Sequence, residues 1–257
     1  MDVFETPKPL IKVDGTSLVS RTVEALQKAG IKDIAVVVEK GNTVIGKELF
    51  DFKGIRFIEQ VSGKRGMLDS LLTLKGVVKG PFLVTVCDLV TAKNPYKEIL
   101  KSVKPKDTLA ALVSRDSMHN ANAGANVRVR YNKTDVEEMG KSLKQWNALD
   151  IGIYYFTDKA LIEFHALDKK KRLTSVPELF SVYAEKKGLR ASFYDAEWFD
   201  INVPKTLIRA ELFLANQKNG HEKGDTPRGL QKDAPVMRTL TDAKRTVTDI
   251  IVKRDIL

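Results

Sequence analysis

Through its first two hundred residues the chain alternates between stretches of helical periodicity and short apolar runs of strand length, and that alternation leaves few folds open. Residues 17–29 place Val19, Val23 and Leu26 on one face of a helix, with Gly30 following as a stop. Residues 34–38 are apolar throughout, the mark of a strand buried on both faces, and 55–58 form a shorter one. A helix over 67–74 comes next, opened by the loop 62–66, and then an apolar strand over 82–87 ending at Asp88. Strands are expected at 109–114, 126–131, 147–156 and 191–194, with a small polar loop at 120–124. Helices are expected at 176–186 and from Pro204 through Leu214, where proline suits the first turn. Strands that alternate with helices predict a mainly parallel mixed sheet covered on both sides, a three-layer α/β sandwich.

The 257 residues suffice for one large domain or two small ones. The expected division is a domain over 1–216 and a tail over 217–257, made of a linker near 219–229 and a helix over about 239–252. With 43% hydrophobic and 30% charged residues, the chain has the composition of a packed globule and not of a disordered one. Its apolar runs fall well short of the roughly 20 residues that span a bilayer, so no membrane insertion is expected. No basic segment leads into an apolar one at the N-terminus, and the single cysteine, Cys87, cannot form an internal disulfide; a cytoplasmic protein is expected. The net charge of +10 is spread along the chain and interleaved with Asp and Glu, with one cluster at 169–172 that reads as a loop. Without an aromatic-plus-basic motif or a helix-turn-helix, this is a solvated basic surface, and no nucleic-acid partner is expected. His119, His165 and His221 lack the spacing of a zinc site, and Cys87 reads as a core residue.

Four segments carry more specific information. Pro7-Lys8-Pro9-Leu10 enters an amphipathic helix; Ser62-Gly63-Lys64-Arg65-Gly66 leads into another; Asn147-Ala148-Leu149-Asp150-Ile151-Gly152 runs along a strand; Trp198-Phe199-Asp200-Ile201-Asn202-Val203-Pro204 precedes the last helix. Together they resemble the nucleotidyltransferases of the nucleotide-diphospho-sugar transferase (GT-A-like) fold over roughly residues 7 to 215. Among these the pattern is most similar to the inositol-1-phosphate cytidylyltransferases, some of which continue into a CDP-alcohol phosphotransferase domain. The resemblance implies a Mg²⁺-dependent enzyme that joins a nucleoside triphosphate, CTP favoured, to a sugar or inositol 1-phosphate and releases pyrophosphate. In that family a first strand and a glycine-rich loop precede the lysine, and residues 1–7 do not supply them. The expectation is threefold: an upstream segment supplies them, a partner chain or the C-terminal tail does so, or the chain is a degenerate relative that binds without turnover.

Residue by residue, the resemblance points to Asp88 and Asp200 as the metal ligands and to Lys8 as the cation that meets charge building on the triphosphate. An aspartate just past the carboxyl end of a buried strand also lies where open α/β sheets bind ligands, although Asp88 equally suits a helix N-cap, and Asp200 suits a cap for the helix beginning at Pro204 or a simple pairing with a lysine. Leu89 stands where the cytidylyltransferases carry a histidine, and Asn202 where they carry a second acidic residue. Lys64 and Arg65 are candidates for phosphate contacts or for plain solvation, while Gly63 and Gly66 allow close backbone approach. Asp150 is a candidate acceptor for substrate hydroxyls, or a buried carboxylate held by backbone amides, and Gly152 is expected to make room for the acceptor phosphate. Trp146 and Trp198 read as packing.

Overall fold

A computed structural model describes residues 6–60, 65–115, 127–220 and 249–253. A 3-10 turn at Lys8–Leu10 leads into a hairpin of Lys12–Val13 (β1) and Thr16–Ser17 (β2). Helix α1 (Leu18–Lys28) starts where the Ser17 side chain accepts from the Ser20 amide, and Gly30 follows it at φ +86°. Then come β3 (Asp33–Val38), α2 (Val44–Glu48), β4 (Ile55–Glu59), α3 (Met67–Thr73), β5 (Phe82–Val86) and β6 (Leu89–Thr91). Helix α4 (Pro95–Ser102) is capped by Asn94, whose side chain accepts from the Tyr96 and Lys97 amides. After β7 (Leu109–Ser114), β8 (Arg128–Asn132) and β9 (Asp135–Gly140), the long β10 (Ala148–Phe156) returns through the sheet. Helices α5 (Asp158–Lys171) and α6 (Val176–Lys187), strands β11 (Arg190–Phe193) and β12 (Trp198–Asp200), and helix α7 (Pro204–Gly220) complete the body.

The main sheet runs β4-β3-β13-β5-β10-β7-β11-β9-β8, where β13 is Asp249–Lys253. Strands β4, β3, β5, β7, β11 and β8 share one direction; β13, β10 and β9 run against it. The sheet is mixed, as expected, and direct parallel pairing occurs at β3–β4 and β7–β11. Alternating residues of β3 show why three layers form. Ile34, Val36 and Val38 pack into a core with Val19, Val23 and Leu26 of α1 and Ile99 of α4. Ala35 and Val37 join the opposite core, with Leu68 and Leu71 of α3, Phe164 of α5 and Phe180 of α6. A third, smaller cluster of Ile11, Val13, Leu18, Val90, Phe199, Ile201 and Ala210 ties the N-terminal hairpin to β6, β12 and α7.

Two expectations fail. The cluster at 169–171 belongs to the last turn of α5 and not to a loop, where three lysines complement the negative end of the helix dipole. The helix expected over about 239–252 meets a strand at Asp249–Lys253, and 239–248 lie outside the described residues. Asp249–Lys253 pairs antiparallel with β3 through Asp249↔Val37 to Lys253↔Asp33, and with β5 through Asp249↔Val86 to Lys253↔Phe82. A gap with open ladder positions on both sides outweighs helical propensity, and Ile250-Ile251-Val252 is a β-branched run suited to it. The loops expected at 120–124 and 219–229 lie outside the described residues, apart from Gly220 and its neighbour at the end of α7. Among the described residues no helix is long and apolar enough to cross a membrane.

Candidate active site

Asp88 stands immediately past the carboxyl end of β5, between Cys87 and the short strand β6. The segment that follows it is a strand, and the next helix is capped by Asn94, so Asp88 caps no helix there. Strand β6 pairs antiparallel with β12 in the register Leu89↔Asp200, and the Ile201 amide donates to the Asp88 carbonyl at 2.9 Å. That ladder lays the two aspartates side by side. The buried ring of Pro9 and the cluster around Ile11 and Val13 anchor the 3-10 turn that presents Lys8.

The Lys8 ammonium donates to Asp88 Oδ2 and to Asn202 Oδ1, and lies 3.8 Å from Asp200 Oδ1. Asn202 in turn donates through Nδ2 to Asp200 Oδ2. Burial and the neighbouring Asp88 charge push the Asp200 carboxyl up to about 7, against the opposing pull of Lys8. Burial works against the Lys8 charge, yet the two carboxylates outweigh it and raise the ammonium above its ordinary range. Asp200 Oδ1 is shut off from solvent and has no hydrogen-bond partner among the described residues. A buried carboxylate oxygen of this kind, beside a second carboxylate and an amide oxygen, is a hard-oxygen donor set suited to Mg²⁺, which needs one or two carboxylates and takes its other ligands from water and phosphates. No cluster of three acidic, histidine or cysteine side chains forms a metal site among the described residues, so substrate oxygens would have to complete the shell.

Asp88, Asp200 and Asn202 line a cavity of about 780 Å³ at the carboxyl end of β5, where its antiparallel neighbours β13 and β10 begin. Asp150 and Gly152 line it too. Asp150 is buried, accepts from the Tyr154 hydroxyl and the Gly152 amide, and has its carboxyl pushed up to about 6 by burial, which those two hydrogen bonds only partly offset. Gly152 sits at φ +75° in a bulge where the β10–β7 register shifts between Asp150 and Ile153. A Cβ there would stand 2.7 Å from Val86 Cγ2, so the space a side chain would need is filled by β5.

The glycine loop is only partly described: Gly63 and Lys64 lie outside the described residues. Gly66 opens α3 at φ +55°, and Arg65 beside it lines the cavity. Arg65 is already committed. Its Nε donates to Asp69 at 2.8 Å and its Nη1 to Asp168 at 2.6 Å and to the Leu173 carbonyl at 3.1 Å, so it fastens the loop to α3 and α5. Sequence reading missed Lys141, which follows β9, lines the cavity and draws the Asp200 carboxyl down, opposing its burial. The only signal for it is a Gly-Lys pair after a strand, which is common in ordinary turns. Trp198 is buried against the α1 side of the sheet while also lining the cavity, so packing is one of its jobs.

Residues 3–176 match the family described as MobA-like NTP transferase domain. The chain belongs to that family. It is 28% identical over 221 residues to the bifunctional IPC transferase and DIPP synthase of Rubrobacter xylanophilus, covering 84% of this chain and 50% of that protein. The corresponding protein of Thermococcus kodakarensis is 24% identical over 211 residues, covering 81% of this chain and 46% of the relative. The chain thus spans about half the length of these curated relatives. In three dimensions it is similar to the inositol-1-phosphate CTP transferase from T. maritima, with TM-score 0.70, 21% identity and coverage of 84% of this chain and 89% of that one. A UDP-glucose pyrophosphorylase complexed with UDP-glucose follows with TM-score 0.69 and 15% identity over 82% of this chain and 90% of the other. The nucleotide-diphospho-sugar transferase fold is therefore shared.

Proposed function

We propose that this NTP transferase domain joins a nucleoside triphosphate, CTP favoured, to a sugar or inositol 1-phosphate. An oxygen of the acceptor phosphate attacks the α-phosphorus, a new P–O bond forms, and the bond from the α-phosphorus to the bridging oxygen breaks as pyrophosphate leaves. The observation that carries the reading is the convergence of Asp88 and Asp200, from distant stretches of chain, on one cavity, with the Lys8 ammonium set beside both.

Asp88 and Asp200 would hold Mg²⁺, which when bound neutralises phosphate charge and orients the phosphate oxygens. Within the chain, Lys8 supplies a positive charge close to where negative charge grows on the phosphates. Asp150, fixed by Tyr154 and the Gly152 amide, presents a buried acceptor to substrate hydroxyls. Lys141 offers a cation from the β9 side of the cavity for the acceptor phosphate. Catalysis is then mostly positioning and electrostatics, as phosphoryl chemistry requires.

A second reading, a module of this fold that binds without turnover, is favoured by one observation. Strand β13 runs antiparallel to its neighbours, so it begins at the cavity end of the sheet with Asp249 and its carboxyl end, at Lys253, lies at the opposite edge of the sheet. Pyrophosphate release with Mg²⁺, CTP, ATP, GTP or UTP, and inositol 1-phosphate or sugar 1-phosphates separates the two. Turnover that falls at least about a hundredfold in Asp88→Ala and in Asp200→Ala supports the enzyme. Nucleotide binding with no pyrophosphate released under any combination supports the binding module.

A further inference from the structure

The three oxygens best placed to receive a divalent cation are those already gathered around the Lys8 ammonium: Asp88 Oδ2, Asn202 Oδ1 and, at 3.8 Å, Asp200 Oδ1. We propose that Lys8 is the internal counter-ion of this cradle and that Lys8 and the divalent cation occupy it in turn, never together. The inference rests on the reading above that Asp88 and Asp200 hold the metal.

Two features of the site require a counter-ion. Asp88 and Asp200 are brought together by the β6–β12 ladder, a backbone constraint that does not relax when the cation leaves. Their like charges, in a largely buried setting, repel each other, and a cation set between them relieves that repulsion. The amide of Asn202 bridges the ammonium and Asp200, accepting from one and donating to the other, and so fits the ammonium-occupied state. A divalent cation on the same oxygens would leave the ammonium in contact with a second positive charge. One of the two must go.

Lys8 is built to be the one that moves. Its backbone is pinned by buried Pro9 and by hydrogen bonds from Leu10 to Pro7 at 2.8 Å and from Ile11 to Lys8 at 3.2 Å. Its side chain is one-third exposed and carries a compact charge on a flexible four-carbon stem. Cation entry would thus swing the ammonium outward and leave it free for the phosphates of a bound nucleotide. The cradle is closed by the residue that later serves the substrate, which couples metal loading to the arming of Lys8.

The test uses the full chain without nucleotide and Mn²⁺ as the probe, followed by electron paramagnetic resonance titration. An occupant that holds the cradle nine-tenths of the time weakens apparent cation affinity about tenfold, so Lys8→Met is expected to bind Mn²⁺ about tenfold more tightly than the unaltered chain. In parallel, labelling of Lys8 by an amine-reactive reagent, read by peptide mass spectrometry, is expected to rise when Mg²⁺ is added to the unaltered chain. That second measurement does not depend on how the variant folds. Mn²⁺ binding that is unchanged or weaker in Lys8→Met, yet abolished in Asp88→Asn, overturns the exchange while leaving the metal site intact. Lys8 labelling that ignores saturating Mg²⁺ overturns it as well. If neither the unaltered chain nor Lys8→Met binds Mn²⁺, the metal reading itself fails, and the exchange with it.

Discussion

The Ile201 amide donates to the Asp88 carbonyl at 2.9 Å, and this backbone bond holds Asp200 against Asp88 at the mouth of the cavity. The two acids are therefore neighbours by construction of the β6–β12 ladder, whatever their charges prefer. Lys8 then joins them from the opposite end of the chain, its side chain closing a site that the sheet has already assembled.

Neutralising the two aspartates should have opposite effects on the fold. Asp200 carries a buried oxygen with no hydrogen-bond partner among the described residues and sits beside a like charge. Asp200→Asn removes the charge and keeps the shape, so the cation-free protein should gain about 1 kcal/mol in urea unfolding. Asp88→Asn strips Lys8 of the carboxylate it donates to directly and should lose a similar amount. Both should lose Mn²⁺ binding. Equal losses of stability in the two variants would show that the pair acts as a structural ion cluster.

Gly152 offers a sharper structural test. Its φ of +75° costs an L-residue about 1–2 kcal/mol, and a Cβ at 2.7 Å from Val86 Cγ2 adds an overpacking cost of similar size. Gly152→Ala should destabilise the chain by about 2–4 kcal/mol. Adding Val86→Ala should recover part of the loss, giving a coupled double-mutant cycle. Strict additivity would mean that the contact with β5 is not what selects glycine here.

The central position of β13 makes the C-terminal strand a keystone. Between Asp249 and Lys253 it is flanked on both sides by ladders to β3 and β5, and without it two strands of the main sheet would face each other across an empty strand position. Ile251→Pro removes a ladder donor in the middle of that strand and should cost about 3 kcal/mol or more, seen as a fall in Tm. Amide exchange at 250–252 should be as slow as in β5. If these amides exchange at the rate of a free tail, the strand is not a member of the sheet in solution.

That strand also shows where reading the sequence reaches its limit. Helix α1 and strands β3, β5 and β10 are plain in the residues, because each carries a long apolar pattern with local punctuation such as Ser17 before α1 and Gly30 after it. Strand β13 is not, since Asp249–Lys253 follows a stretch that suits a helix, and what selects the strand is a gap between two others. Helix α5 escaped notice because its fully buried residues, Ala160, Leu161 and Phe164, lie in the first half, with only the partly buried Leu167 packed beyond them, while lysines crowd its end. In the site, Asp88 was legible as an aspartate ending an apolar strand. Its meeting with Asp200 and Lys8 depends on three-residue strands and a 3-10 turn, elements too short to leave a periodic signature. The commitment of Arg65 to Asp69 and Asp168 was hidden for the same reason: Asp168 lies on a helix with no marked partner in the sequence.

Asp150 should give the fold a pH dependence of its own. Its carboxyl is pushed from 3.8 up to about 6, first by burial, with the hydrogen bonds from Tyr154 and the Gly152 amide pulling partly back. The folded chain therefore holds this proton more tightly than the unfolded one. The stability it contributes is complete below the unfolded value near 3.8, falls as the pH rises toward about 6, and is gone above it. A shift of this size corresponds to about 3 kcal/mol. Urea unfolding at a series of pH values should show the unaltered chain losing about that much more stability than Asp150→Asn between pH 4 and pH 7. Substrate affinity should move the other way, because only the ionised carboxylate offers all its lone pairs to substrate hydroxyls. Binding of inositol 1-phosphate or a sugar 1-phosphate in the presence of nucleotide should strengthen as the pH rises through 6, and Asp150→Asn should flatten that rise. A variant with the same pH profile as the unaltered chain would remove Asp150 from the acceptor pocket and leave it a buried structural carboxyl.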